Sequence, residues 1–599
     1  MGVGVSIALA AGISGPTAEA AAPACEPTTI NRTDVLPGTS LDVSPLPDSM
    51  DASPGTQISF VGAPPSSLSQ ITVTGSRSGR HGGVLQPYSQ GDGESFVPNS
   101  PFLAGEQVTV HGRVTRGASA TNFTFHFVVE TPDPLPYPTV GALHPSSSTL
   151  DSFHSMPNLD APKVTISTDS PSSAPGYLFA ALYGSGEIGG PLIFDNTGQP
   201  VWFDPLPHGV SATDLRVQQL GSQPVLTWWQ GGVLPQGFGE GQDMIANSAY
   251  QVVQVVHAGN GDSADLHDFE LQPDNVALVT VYKALRCDLS GHGGSSTSAV
   301  TDSGFQEIDL KTGLVRREWD SLDHVPLSYT ETTASGADLT WPFDFFHLNS
   351  LDAEPDGNLL MSARNTWAIY TINRTTGRVL ATIGGNHGTY KEGRGAGTAY
   401  QHDATLLPNG TISVFDNGGT PVVHPQSRAL ILGLDTKTNT IRRVAQYTHR
   451  SPLKSGSQGD VQVLANGDVF VGWGGAPYFS EYTTGGKAVF DGRVSGAAQS
   501  YRVYRFPWTG TPAGPPAIAA TAGAGGRLTV YASWNGATQV AAWRVLAGAS
   551  PSALARVASV ARTGFETTIA TPSAGPDVEV QALGSAGQVL GTSKLLSSP

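Results

Sequence analysis

One hairpin pattern recurs through the middle of the chain, and it constrains the fold more than any other feature of the sequence. Each copy consists of an apolar run, a tight turn with Asp or Asn beside Gly or Asn, and a second apolar run. The copies are Leu271–Leu278, Ala353–Leu360, Leu407–Ile412 and Leu464–Phe470. Short runs joined by such turns are typical of antiparallel strand pairs. The segment from residue 176 to 507 is therefore predicted to be a series of repeated sheets.

A second hairpin alternates with the first along the same segment. Its copies are Phe194–Trp202, Ile308–Val315, Ile372–Val379 and Leu434–Ile441. Two hairpins in about 50 residues make one four-stranded blade, and blades repeated at this period indicate a β-propeller. The segment has room for six blades, with five or seven as alternatives, because one interval is 82 residues and the next two are 53 and 57. The run Tyr501–Phe506 is predicted to close the ring against the first blade.

The flanks are also β-rich, so the predicted fold class is all-β. Residues 25–135 and 509–599 alternate apolar and polar side chains between Pro, Gly and Ser, which predicts half-buried strands. We interpret the first as an Ig-like β-sandwich and the second as a fibronectin-III-like β-sandwich. Residues 136–175 are rich in Pro and Ser and are predicted to be a linker or an extended wrap onto the propeller, which spans 176–508.

Composition limits the partners and the compartment. Charged residues make up 14% of the chain and the formal net charge is −17, so the basic surface that binds nucleic acid is not expected. Residues 1–24 are apolar and then small, which predicts a secretory signal and a secreted, extracellular protein. No later run is apolar for long enough to span a membrane. Cys25 and Cys287 form either one disulfide or two free thiols.

Histidines occupy nearly the same position in three consecutive copies of the first hairpin. His267, His347 and His402 precede the Gly or Asn that ends the turn by 8, 10 and 8 residues. If this position lies on the strand nearest the ring axis, the three imidazoles converge at one mouth of the central channel. The alternative is a structural histidine that is repeated with the blade.

A single arginine, Arg364, follows the second copy of this hairpin. The sister copies place Tyr282, Asn417 and Trp473 there. A buried guanidinium needs an anion or a carboxylate beside it. Arg364 is therefore a candidate for binding an anionic ligand, with an ion pair to a nearby Asp as the alternative. The sequence has no Walker loop, H-E-x-x-H or G-x-S-x-G motif, so no cofactor and no metal is expected.

Four segments carry a resemblance to a known family. They are Trp341–Ser350, Met361–Asn365, Gln401–Ala404 and Phe415–Gly418. Together they resemble the bacterial arylsulfotransferases, which are secreted propellers that use no nucleotide sulfate donor. The resemblance covers residues 176–507 and implies a protein that moves a sulfuryl group from an aryl sulfate donor to a phenolic acceptor.

The resemblance also implies roles for the site residues. His402 matches the nucleophile that accepts the sulfuryl group and forms a covalent sulfohistidine. His347, Asn349 and Arg364 match residues that bind the sulfate oxygens, and His267 completes the site. These roles agree with general chemistry, since a neutral imidazole is a competent nucleophile and a second imidazole can serve as acid and base.

Other candidates follow from position alone. Asn417 is predicted to bind substrate, because it sits at the channel end of the same repeat as His402. Asp403, or another carboxylate, is predicted to fix the reactive tautomer of His402. Trp341, Trp473 and Tyr478 are candidates for stacking an aryl ring, with propeller core as the alternative. The competing functions are a non-catalytic adhesion or scaffold propeller and a hydrolase that releases free sulfate.

Overall fold

The computed structural model describes residues 23–135, 148–184, 188–496, 498–522, 527–572 and 575–597. The predicted secretory signal therefore lies outside the described residues, apart from its last two positions, and so does the first part of the predicted linker. Among the described residues the chain is all-β, and its only α-helix is a single turn. None of the helices in this part of the chain is long and apolar enough to cross a bilayer.

The N-terminal unit consists of two sheets that pack face to face. One has the strand order β1-β2-β6-β5 and the other β4-β3-β7-β8, and a shared apolar core that includes Phe60, Phe102 and Phe127 lies between them. The strands are β1 (Asp42–Ser44), β2 (Ile58–Val61), β3 (Leu68–Gly75), β4 (Gly79–His81), β5 (Gly83–Pro87), β6 (Gly93–Pro98), β7 (Gln107–Arg116) and β8 (Ser119–Val128).

Three short strands lead from this unit to the repeated sheets. They are β9 (Leu150–Ser152), β10 (Asp160–Pro162) and β11 (Val164–Asp169). Strands β9 and β10 pair with each other, and β11 runs antiparallel to residues 490–494 at the outer edge of a later sheet. This part of the predicted linker thus lies against the ring.

The middle of the chain forms mainly antiparallel sheets, which follow one another in sequence order. The strands of its first half are β12 (Tyr177–Tyr183), β13 (Gly190–Phe194), β14 (Pro200–Phe203), β15 (Ser211–Leu220), β16 (Gln223–Val233), β17 (Gly239–Ala246), β18 (Val252–Val256), β19 (Ala264–Gln272), β20 (Val276–Cys287), β21 (Ser298–Asp309) and β22 (Val315–Asp320). The helical turn α1 (Ser321–His324) and the short strand β23 (Phe343–Asp344) follow.

The second half continues in the same way. Its strands are β24 (Leu348–Ala353), β25 (Leu359–Ala363), β26 (Ala368–Ile372), β27 (Val379–Gly384), β28 (Lys391–Glu392), β29 (His402–Leu406), β30 (Thr411–Asp416), β31 (Arg428–Asp435), β32 (Thr440–Tyr447), β33 (Asp460–Val463), β34 (Val469–Gly472), β35 (Tyr478–Tyr482), β36 (Ala488–Val494) and β37 (Gln499–Phe506). Turns of 3₁₀ helix occur at Pro65–Ser67, Pro273–Asn275, Ser290–His292 and Leu327–Tyr329.

The innermost strands of these sheets lie side by side. Strands β15, β19, β24, β29, β33 and β37 each contact the next, and β37 also contacts β15, so that they form a closed ring. Strand β37 pairs with β12, which confirms the predicted closure by Tyr501–Phe506. The predicted first hairpins join β19 to β20, β24 to β25, β29 to β30 and β33 to β34. The long repeat interval arises because β20 and β21 have 12 residues each and α1 and its loops follow.

The C-terminal unit again has two sheets around one core, which includes Trp543. Its strands are β38 (Ala517–Ala522), β39 (Leu528–Ser533), β40 (Ala542–Gly548), β41 (Ala555–Ala561), β42 (Glu566–Thr571), β43 (Asp577–Leu583), β44 (Val589–Thr592) and β45 (Leu596–Ser597). The two cysteines are joined as the disulfide Cys25–Cys287, which ties a residue ahead of the N-terminal unit to the end of β20.

Candidate active site

The three phased histidines meet at one end of the ring of innermost strands. His267 lies in β19, His347 directly precedes β24, and His402 begins β29. The rings of His267 and His347 are 5.0 Å apart between centroids. The Tyr501 ring of β37 lies 5.4 Å from His267 and 6.2 Å from His402. The predicted convergence of the imidazoles is therefore observed, with a tyrosine packed among them.

Irregular backbone brings these side chains to the same place. The pairing of β19, β24 and β29 with the next strand shifts register at or directly after the histidine, as in a β-bulge. A bulge re-aims the side chains around it. His347, Tyr400, Asp403 and Gln458 also have φ between 55° and 65°, a region that costs non-glycine residues free energy and is concentrated at functional sites.

Two of the imidazoles are held by carboxylates. The Nδ1–H of His267 donates to Asp265, and the Nδ1–H of His347 donates to Asp344. In both cases Nε2 is left as the nitrogen that can accept or deliver a proton. Burial lowers the pKa of His347, and the pull of Asp344 in the opposite direction does not cancel it. His347 is therefore a neutral imidazole at pH 7.

His402 has a different kind of partner. Its Nδ1–H donates to Oδ1 of Asn417 at 2.7 Å and to the carbonyl oxygen of Tyr400 at 3.1 Å. Both partners are acceptors, so the proton of the neutral ring must be on Nδ1 and the lone pair on Nε2. The backbone N–H of Gln458 donates to that Nε2 at 3.2 Å, a long contact for a hydrogen bond.

The surroundings of His402 keep it unprotonated. Its exposure is 2%, and burial lowers its pKa well below the ordinary value. The positive charge of Arg364 lowers the pKa of His402 further. His402 thus presents the Nε2 lone pair that a nucleophile needs.

Arg364 forms no salt bridge among the described residues, although Asp344 is close enough for its charge to act on the guanidinium. Its guanidinium donates to Oδ1 of Asn365 at 2.8 Å and to the carbonyl oxygen of Gly456 at 3.4 Å, and it lies 4.7 Å from the ring centre of Tyr400. Within the part of the chain that the structure describes, no carboxylate oxygen comes within 4.0 Å of it. The predicted alternative, an ion pair with a nearby Asp, is not formed, so the positive charge is available to an anion.

Asn349 and Asn417 are both buried, and their amides face protein atoms. The amide nitrogen of Asn349 donates to the carbonyl oxygen of Gln401 at 2.8 Å, while its Oδ1 has no partner among the described residues. The amide of Asn417 accepts from His402 and donates to the carbonyl oxygens of Ser455 and Gln458. These contacts position His402, and the role of Asn417 in substrate binding stays a prediction.

Asp403 does not touch His402, although it follows it in sequence. Its Oδ2 accepts the N–H of Val461 at 2.8 Å, and its Oδ1 lies 3.5 Å from Nε of Arg502. The strand alternation that buries His402 on one side carries Asp403 to the other. The tautomer of His402 is therefore set by Asn417 and not, as predicted, by Asp403.

A cavity of about 570 Å³ opens beside the cluster. Arg364, Asp344 and Tyr400 form part of its wall, and Trp341 lies at its edge with 54% of its surface exposed. Trp473, by contrast, is fully buried in an apolar core, and Tyr478 packs against that core. Of the three aromatic candidates, only Trp341 is placed to contact a ligand.

Sequence reasoning missed the residues that hold the histidines. Asp265 and Asp344 are two and three residues ahead of their imidazoles, and this spacing was a usable signal. Tyr282 stacks on His267 at 5.2 Å and donates to the carbonyl oxygen of Leu348. Tyr282 holds in its repeat the position that Arg364 holds in the next, which was also a usable signal, whereas Tyr501 reaches the site from the closing strand β37.

The site combines a neutral imidazole whose Nε2 accepts only a long backbone N–H contact, two carboxylate-bound imidazoles and a guanidinium that forms no salt bridge among the described residues. This set is suited to the transfer of an anionic group. Residues 216–495 match the family model described as arylsulfotransferase (ASST), and the match contains all six candidate residues. The match supports the assignment of this region to an arylsulfotransferase-type family.

Solved structures with a similar course of the chain have low sequence identity. A protein of unknown function from Bacteroides caccae is 16% identical, with 55% of this chain and 98% of that chain covered at a TM-score of 0.34. An auxiliary nutrient binding protein from Bacteroides ovatus is 14% identical, with 78% of this chain and 100% of that chain covered at a TM-score of 0.29. A virginiamycin B lyase from Staphylococcus aureus is 12% identical, with 62% of this chain and 95% of that chain covered at a TM-score of 0.25. No curated protein sequence matches the chain significantly.

Proposed function

We propose that this protein is a secreted sulfotransferase that moves a sulfuryl group from an aryl sulfate ester to a phenol through a sulfohistidine at His402. The observation that carries the proposal is the unpaired, largely buried guanidinium of Arg364 beside the neutral imidazole of His402. The arylsulfotransferase match over residues 216–495 supports it. We also propose that the ring is a six-bladed β-propeller flanked by an Ig-like and a fibronectin-III-like sandwich.

In the first half-reaction, the sulfate end of the donor binds Arg364. The Nε2 lone pair of His402 forms a bond to sulfur while the bond from sulfur to the aryl oxygen breaks. The Gln458 N–H, no longer bound to Nε2, is then free to donate to a sulfuryl oxygen. Donors that meet developing charge in a site with little water stabilise the transition state.

In the second half-reaction, a phenol takes the place of the departed phenolate. The Nε2 of His347 or His267 accepts the proton of the phenol, and the phenol oxygen attacks sulfur. The carboxylates Asp344 and Asp265 stabilise the imidazolium that forms. The bond between Nε2 of His402 and sulfur breaks, its electron pair returns to Nε2, and the nucleophile is regenerated. The imidazolium passes its proton to water or to the released phenolate, which restores the neutral base.

The proposal of secretion has one structural support. Disulfides persist in oxidising compartments and are rare in the cytosol. The bond between Cys25 and Cys287 is buried at both ends. It joins two segments separated by 262 residues, which suits a protein that matures outside the cytosol.

The function is tested by incubating the protein with 4-nitrophenyl sulfate and phenol. We expect release of nitrophenol, formation of phenyl sulfate in equal amount, and an acid-labile mass increment of one sulfuryl group on the peptide that contains His402. Release of free sulfate without phenyl sulfate would indicate the hydrolase instead. Absence of both products and of the adduct would contradict the proposal and favour a binding or scaffold role.

Trp341 is expected to contribute to binding of the aryl group. Its backbone is held by Asp338, whose Oδ1 accepts the N–H of Trp341 at 2.8 Å, and its indole stands exposed at the cavity edge. Replacement of Trp341 by alanine removes a stacking surface, so we expect KM for 4-nitrophenyl sulfate to rise about tenfold with kcat nearly unchanged. Trp341→Phe should retain most of the affinity. An unchanged KM in the alanine variant would exclude Trp341 from the aryl site.

A further inference from the structure

His402 differs from the other two site histidines in the charge of its Nδ1 partner. His267 and His347 donate to carboxylates, whereas His402 donates to an amide oxygen of Asn417. Because all three rings are buried at the same end of the ring of strands, this difference is the main chemical distinction between them. It separates the residue proposed as nucleophile from the two proposed as acid and base.

The amide of Asn417 is fixed in this orientation by its other contacts. Its nitrogen donates to the carbonyl oxygens of Ser455 at 3.1 Å and Gln458 at 2.9 Å. Exchanging the oxygen and nitrogen of the amide would set two carbonyl oxygens against an acceptor, which is unfavourable in a buried site. The loop of residues 455–458 therefore holds the neutral acceptor against His402.

We infer that Asn417 is a positioning residue that keeps the sulfuryl group on His402 transferable, which rests on the function proposed above. When Nε2 takes up the sulfuryl group it gives its lone pair to sulfur, and the aryl oxygen leaves with the electron pair of the broken bond. The ring keeps its Nδ1 proton and becomes a cation. A neutral partner at Nδ1 leaves this positive charge uncompensated.

The uncompensated charge favours the second half-reaction. When the phenol oxygen attacks, the electron pair of the nitrogen–sulfur bond returns to Nε2, and the group that leaves sulfur is a neutral imidazole. A carboxylate in place of Asn417 would stabilise the cation or take up the Nδ1 proton. The leaving group would then have the character of an imidazolate anion, which leaves far less readily.

The other charges around His402 act in the same direction. The positive charge of Arg364 opposes positive charge on its ring. Asp403, the nearest carboxylate in sequence, is turned toward Arg502. The site thus binds the anionic sulfuryl group while it disfavours a long-lived imidazolium, and both properties suit a transient carrier.

The test compares Asn417→Asp with Asn417→Ala in rapid-mixing experiments with 4-nitrophenyl sulfate, followed by addition of phenol. In Asn417→Asp we expect a burst of one nitrophenol per protein, accumulation of sulfo-His402, and decay of the adduct by phenol at least about tenfold slower than in wild type, which corresponds to a shift of about one pKa unit at the leaving nitrogen. The acid limit of the burst rate should also move to higher pH. In Asn417→Ala we expect a slower burst but adduct decay at the wild-type rate.

Asn373→Asp is the matched control, since it adds the same charge in the turn between β26 and β27. There Oδ1 of Asn373 accepts a hydrogen bond from the hydroxyl of Thr376. This variant should behave as wild type. If Asn417→Asp decays as fast as wild type, or if Asn417→Ala traps the adduct, the inference is overturned. If Asn417→Asp does not fold, the adduct decay of Asn417→Ala is the test. Decay at the wild-type rate supports the inference, and a trapped adduct overturns it. An adduct absent from the wild type overturns the proposed function and not the role of Asn417 alone.

Discussion

Replacement of His402 by alanine is expected to abolish sulfuryl transfer while the protein remains folded. The variant has no nitrogen that can form the covalent intermediate, and direct transfer from donor to acceptor lacks a positioned nucleophile. Loss of a covalent nucleophile reduces kcat by a factor on the order of a thousand or more. Nitrophenol release from 4-nitrophenyl sulfate measures the loss, and mass spectrometry of the digested protein shows whether any sulfuryl adduct remains.

The control variant is His154→Ala. His154 is largely exposed and pairs with Glu566 of the C-terminal unit. Both residues are distant in sequence from the site residues, so replacement of His154 should leave transfer unchanged. Near-ultraviolet circular dichroism of both variants establishes that the aromatic core is intact. Transfer by a folded His402→Ala protein at the wild-type rate, or an adduct on His347 or His267, would assign the nucleophile to another residue.

The sequence was sufficient to predict the repeated hairpins and the convergence of the histidines. Each hairpin is local, because its turn residues and alternating runs are contiguous, and strands joined by such a turn pair with each other. The phase of His267, His347 and His402 relative to the turn then fixes which strand each belongs to. Once the innermost strands form a ring, equal phase implies a common end of that ring.

The contacts between sheets could not be predicted in the same way. Arg502 of β37 reaches Asp268 of β19 across 234 residues. Such pairs depend on the order and tilt of strands that are not adjacent in the chain. Asp403 was misassigned for a related reason. Its proximity to His402 in sequence suggested a contact, but the two side chains lie on opposite faces of the strand.

Replacement of Arg502 by methionine is expected to destabilise the ring by about 3–5 kcal/mol. It leaves the buried carboxylate of Asp403 without its cation, and it leaves Asp214 and Asp268 with Arg216 alone. Arg502 lies in the closing strand β37 with 1% exposure. Its guanidinium donates to Asp214 of β15 and Asp268 of β19, both at 3.2 Å, and to the carbonyl oxygen of Asn349 in β24 at 3.0 Å. Burial raises the pKa of Asp268, but Arg502 and Arg216 outweigh it and hold the pKa below its ordinary value. Asp403 of β29 also lies 3.5 Å from its Nε, so this one side chain joins five innermost strands.

Urea unfolding followed by near-ultraviolet circular dichroism measures this loss, with Arg450→Met as the matched control. Arg450 pairs with Asp491 but 58% of its side chain is exposed, so its loss should cost less than about 1 kcal/mol. Because Arg502 also holds the backbone of Asn349 next to His347, we expect Arg502→Met to lower kcat even where the protein is still folded. A variant as stable as Arg450→Met would contradict the role of Arg502 in closing the ring, and full activity would show that the geometry of the site does not depend on that closure.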